Sequence, residues 1–119
     1  MPLSEPRFEN SMMLVEAVGH IERADVEIFH FQAQDHYDRH GATCIVVIDA
    51  SRVEFITSGA RVAFADTAHS PAINALIFIA VDSVTMQTVR TIQMLSEHGK
   101  VEVFASIGEA REHLAGASF

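Results

Sequence analysis

Four consecutive β-branched residues, Ile45, Val46, Val47 and Ile48, are followed at once by Asp49. A run of this kind suits a strand covered on both faces, because neither side meets water. It points to the α/β class with a parallel-type sheet. A second run, ALIFIAV over residues 75–81, is again stopped by an aspartate, Asp82. Two buried strands joined through a helix make a βαβ unit. In such sheets ligands and partners meet the chain just beyond the carboxyl ends of the strands. That singles out residues 49–59, expected as a short polar loop leading from the strand into a helix launched at Thr57-Ser58-Gly59.

The remaining elements follow from periodicity and punctuation. Pro2 and Pro6 keep the start extended; residues 7–9 form a short strand turning at Asn10-Ser11 into a strand over 12–18, an edge hairpin that Gly19 breaks. A first helix runs from near Glu22 to Gly41, glycine being favoured just beyond a helix C-terminus. Val26, Phe29, His30, Ala33 and Tyr37 share its sheet-facing stripe. Ile28 and Phe31 fall on the opposite side, where either a neighbouring element covers them or a partner does. A second helix over 58–68 turns Val62, Ala63 and Phe64 inward and ends at His69-Ser70-Pro71. A third spans roughly 84–98 and closes at Gly99, with Val84, Val89, Ile92 and Leu95 inward and Met86 and Met94 outward. Those methionines are shielded by the next element or serve as adaptable contact residues. Residues 100–105 alternate as a strand nearer an edge. Ser106 and Glu109 have the S-x-x-E spacing of a capping box opening a final helix through Ala110 and Leu114, before a fraying tail over 115–119.

At 119 residues the chain fits one domain over 1–119, long enough to bury a core without disulfides or metal. Its net charge of −8 repels phosphate backbones and anionic headgroups, which excludes nucleic acid as a partner. The lone cysteine, Cys44, permits no intrachain disulfide and is expected as an inert core residue in a cytoplasmic protein. No apolar run is long enough to span a bilayer and the N-terminus lacks a secretory pattern, so no membrane insertion is expected.

His36 and His40 stand one helical turn apart, but Asp35 and Asp38 point elsewhere, leaving no third ligand and no metal site. The nucleophile elbow, the phosphate-binding loops, H-E-x-x-H and C-x-x-C are all absent, so no catalytic residue and no cofactor is assigned. Thr57 and Ser58 read first as a helix N-cap. The same position suits a phosphate, which would meet the positive end of the helix dipole and switch a docking surface. Asp49, Ser51, Thr57, Ser58 and Gly59 are therefore the candidate partner-docking and phosphorylation residues, and Ile28, Phe31, Met86 and Met94 the candidate interface.

The segment VVIDASRVEFITSGA resembles the signature of STAS domains, the family of bacterial anti-sigma factor antagonists. Asp49, Ser51, Val53, Phe55 and Ile56 match in register; Thr57 replaces the family aspartate, Ser58 takes the first serine, and Gly59 falls on the second, the phosphorylated position. The whole chain is similar to the SpoIIAA-like (STAS/CRAL-TRIO-like) single-domain group. It shares G-x-I-x-x-x-D at Gly19, Ile21 and Asp25, the strand Ile79, Ala80 and Val81, and the closing Val103, Phe104, Ser106, Glu109, Ala110 and Leu114, with His113 where the group has tryptophan. The resemblance implies a mixed sheet of four or five strands flanked by about four helices, no known catalytic residues, and frequent self-association. The function it implies is a regulatory domain docking a protein, or a second copy as a homodimer, through residues 49–59 and the second helix. A small apolar ligand such as a lipid is the alternative, with Phe29, Phe31, Phe55, Phe64 and Phe78 lining a pocket or filling the core.

Overall fold

The computed structural model describes residues 3–9, 12–97 and 100–115. Strands β1 (Arg7–Glu9), β2 (Met12–Ile21), β3 (Cys44–Ile56), β4 (Ile73–Ile79) and β5 (Val101–Phe104) form one sheet in sequence order. β1 lies antiparallel at one edge and the other pairings are parallel, so the sheet is mixed. Helices α1 (Arg23–His40), α2 (Ser58–Ala68), α3 (Ser83–Ser96) and α4 (Ile107–Ala115) complete the α/β architecture. The expected turn at Asn10-Ser11, the stop at Gly99 and the tail beyond Ala115 lie outside the described residues.

Neighbouring parallel strands that follow one another in sequence need crossovers of one hand, which puts the crossover helices on one face. One core accordingly gathers Met13, Val15, Val46, Ile48, Leu76 and Phe78 beneath α1, α2 and α3. The other face carries Leu14, Ile45, Val47, Ala75 and Ile77, packed with Ala110 of α4. The Ile45 to Ile48 quartet thus alternates between two cores and is buried throughout.

Four expectations are corrected. Residues 49–56 are not a loop: β3 runs on to Ile56, paired along β2 as far as Ile21. The register shifts twice there, and across them Ala50, Val53 and Ile56, spaced by three rather than two, all reach the same core. Gly19 does not end β2; it sits inside the strand at one of these shifts with φ +74°, a conformation that costs glycine little. In α3 Val89 and Ile92 are buried as expected, but the ends of the stripe are Thr85 and Ser96 rather than Val84 and Leu95, which face solvent. The shift is affordable because Thr85 Oγ1 donates to Asp82 and Ser96 Oγ donates to the Gln93 carbonyl, which satisfies the hydroxyls at both ends of the stripe. On α2, Ala63 and Phe64 are buried as expected while Val62 is exposed.

Candidate functional site

Asp49 and Ser51 form a local unit near the middle of β3. The Asp49 carboxylate accepts from the Ser51 backbone N–H at 3.1 Å and from its hydroxyl at 2.7 Å. Asp49 is half-buried and Ser51 exposed. Thr57, Ser58 and Gly59 lie at the far end of the strand, eight to ten residues on, which at about 3.3 Å per residue is up to about 30 Å of chain. The five candidate residues therefore form two groups along one strand rather than one cluster.

At the second group, Thr57 is the N-cap of α2, its hydroxyl accepting from the Ala60 N–H at 3.2 Å. Ser58 opens the helix and is exposed. Gly59 lies where a Cβ would come 3.4 Å from that of Arg23, so α2 starts close against the first turn of α1. Between the groups β3 outruns its neighbour, since Asp49 pairs with Ile79, the last residue of β4. This overhang shows Arg52, Glu54 and Phe55 to solvent, Phe55 being 51 % exposed. His20 of β2 lies opposite Phe55, its ring centroid 6.1 Å away, and its Nε2 is 3.5 Å from Glu54. Sequence reasoning did not single out His20, Glu54 or Phe55 as a surface group; a three-residue apolar spacing across 50–56 was the available signal.

The candidate interface residues do not converge. Ile28 and the 70 % exposed Phe31 lie on α1, Met94 is 78 % exposed on α3, and α2 packs between the two helices. Met86 is half-buried. Shielding of the methionines by a neighbouring element therefore fails for Met94. The five phenylalanines share no pocket: Phe29, Phe64 and Phe78 pack on one another in the core, at centroid distances of 6.0 and 5.1 Å, while Phe31 and Phe55 are at the surface.

His36 and His40 are 4.7 Å apart between ring centroids, and His36 stacks on Phe8 at 4.3 Å. Among the described residues no three His, Cys, Asp or Glu side chains gather as a metal site. Burial pushes the Cys44 thiol up, in line with an inert core residue. No helix among the described residues is long and apolar enough to cross a membrane.

No protein-family model and no curated protein matches the sequence. Among solved structures the chain is similar to an uncharacterized protein of the DUF3478 family with a SpoIIAA-like fold, from Shewanella loihica PV-4. The identity is 13 %, over 94 % of this chain and 91 % of that one, with a TM-score of 0.65. It is equally similar to the anti-sigma factor antagonist SpoIIAA in its unphosphorylated form, at 14 % identity over 97 % of this chain and 99 % of that one, with a TM-score of 0.64. The fold is SpoIIAA-like. In this SpoIIAA-like domain the β3 overhang and the start of α2 lie at the carboxyl end of the sheet, together with the Glu22, Asp82 and Ser106 positions that precede α1, α3 and α4. Ser106 accepts from the Glu109 N–H at 3.1 Å, and the Glu109 carboxylate reaches back to the Ala105 N–H at 3.2 Å, a capping box displaced by one donor.

Proposed function

We propose that the chain is a non-enzymatic regulatory domain, acting in the cytoplasm, that docks a protein partner through the β3 overhang and the first turns of α2. The observation that carries this reading is the overhang itself. Beyond Asp49, β3 is paired by β2 alone and presents Phe55 as an exposed apolar residue with exposed Arg52 and Glu54, and the first turns of α2 add exposed Ser58 and Val62. An apolar anchor ringed by polar groups is the usual composition of a protein contact. The likeness of fold to an anti-sigma factor antagonist supports the same class of role. Ser58 is the modification point in this reading. A phosphate there would sit at the N-terminus of α2, stabilised by the helix dipole, and would change the charge of the docking surface.

The test is quantitative co-purification with the wild-type chain, Phe55→Glu, Ser58→Asp and Ser58→Ala, with Asp38→Asn, exposed near the C-terminal end of α1, as a control away from the overhang. Loss of the same bound protein from Phe55→Glu and Ser58→Asp, with Ser58→Ala and the control retaining it, is expected. If Phe55→Glu and both Ser58 variants keep every association, the overhang is not the docking surface.

A further inference from the structure

We propose that the segment docked on the β3 overhang is a basic amphipathic helix of the partner, laid along the sheet face that carries α4. The inference rests on the overhang being a docking surface and names what occupies it. Met13, Val15, Ala17 and Ile21 of β2 point into the core beneath α1, α2 and α3, so the alternate residues Leu14, Glu16, Val18 and His20 line the opposite face. There Leu14 and Val47 pack with α4. The rungs that follow pair Glu16 with Asp49, Val18 with Arg52 and His20 with Phe55. They are uncovered: five of these side chains are exposed and Asp49 is half-buried.

Charge selects the sign of the occupant. Neighbouring strands stand about 4.8 Å apart, so Glu16 and Asp49 set two carboxylates side by side, an arrangement that destabilises the free chain. Glu5 joins them around a cavity of about 340 Å³ that Leu14, Val47 and Ile107 also line. Arg7 lines it too, yet among the described residues none of the three carboxylates forms an ion pair. With Glu54 beside His20, acidic groups outnumber Arg7 and Arg52 here, in a chain of net charge −8 that draws basic partners. A Lys or Arg seated in the cavity relieves the repulsion and lays its methylene stem on the apolar wall. Beyond it Val18 and Phe55, 44 % and 51 % exposed, suit apolar side chains. Spacing then selects a helix. Successive rungs on one face lie two strand residues apart, about 6.6 Å, and a helical stripe repeats every four residues, about 6 Å. A helix aligned with β2 thus puts a cation at i over Glu16 and Asp49 and large apolar residues at i+4 and i+8 over Val18 and Phe55. Helices already cover the other face of this sheet.

The probe is a short stapled helix with Lys at i, Leu at i+4 and i+8, and otherwise alanine and glutamine, titrated into the full chain and followed by amide proton–nitrogen spectra. Saturable shifts are expected at residues 16–20 and 49–55 and not on α3. Replacing the peptide's Lys by Glu, or both Leu by Gln, should weaken binding by about tenfold or more. Those changes are made in the peptide, so their effect is not a folding defect of the domain. In the chain, Glu16→Gln at an exposed position should weaken the Lys peptide and strengthen the Glu peptide. No saturable shift, a Glu peptide that binds as tightly as the Lys peptide, or the same shifts on concentrating the chain alone, the mark of a second copy as occupant, would each overturn the proposal. A peptide that fails while Phe55→Glu still loses the co-purified protein overturns the helix and leaves the docking surface standing. Phe55→Glu that keeps every association removes the docking surface itself.

Discussion

His30 of α1 is hydrogen-bonded to Thr67 of α2. The two side chains are 2.8 Å apart, Nδ1 to Oγ1, and the Thr67 hydroxyl already donates to the Ala63 carbonyl, also at 2.8 Å. With its only proton directed at the Ala63 carbonyl, Oγ1 accepts, and the neutral imidazole is then expected to carry its hydrogen on Nδ1. Long-range proton–nitrogen correlation spectra at alkaline pH should show His30 in that tautomer. A histidine protonated on Nε2 would mean that the α1 to α2 contact is built differently. Thr67→Val should remove the tautomer preference.

The cap at Thr57 is a stability element distinct from anything Ser58 does. Thr57→Ala removes the acceptor for the Ala60 N–H and should cost about 1 kcal/mol of unfolding free energy in urea titration, while Thr57→Ser keeps it. An unchanged midpoint for Thr57→Ala would show that water replaces the hydroxyl at no cost.

Asp82 caps α3, and the Thr85 backbone N–H, with help from the Thr85 hydroxyl, holds its carboxyl below the usual carboxylate range. A lowered folded-state pKa means that the unfolded chain takes up the proton first. The stabilisation is thus complete above the ordinary aspartate value of about 3.9 and lost as pH falls through the lower folded value. Asp82→Asn keeps a capping oxygen but has no such titration. The stability difference between wild type and Asp82→Asn should therefore shrink on acidification over that window; a constant difference would deny the linkage.

Gly19 tests the strand irregularity. A Cβ there would have nothing within 4 Å, so Gly19→Ala is a pure backbone experiment at φ +74°. It should destabilise the protein by about 1–2 kcal/mol, the cost of a left-handed L-residue. Gly19→Asn should cost less. A neutral Gly19→Ala would require the strand to relax out of that conformation, visible as changed amide shifts at Val53, opposite it, and at Phe55, opposite His20.

Much of this was legible in the residues. The Ile45 to Ile48 quartet announced a strand with two covered faces, and Gly41 and Thr57 marked the end of α1 and the start of α2. What escaped notice did so for physical reasons. The extra residues that shift the β3 register space Ala50, Val53 and Ile56 by three, which erases the alternation by which a strand is recognised, and its polar outward residues then look like a loop. In α3, size misled: Val84 and Leu95 seemed better core candidates than Thr85 and Ser96, until local bonds made those hydroxyls cheap to bury. Around residues 49–59 the sequence named suitable residue types but not their separation, since nothing in DASRVEFI says whether the chain runs straight or folds back.

The unequal cover of the sheet has a consequence for solubility. Among the described residues three helices guard one face, but the other depends on α4, with Ala110 buried and Ile107 and Leu114 packed against Leu14, Ile45, Val47, Ala75 and Ile77. Were that one segment clipped or melted, a continuous aliphatic plane spanning β2, β3 and β4 would be laid bare. Such a plane invites other molecules to stick, so the final short helix stands between a well-behaved domain and a precipitate.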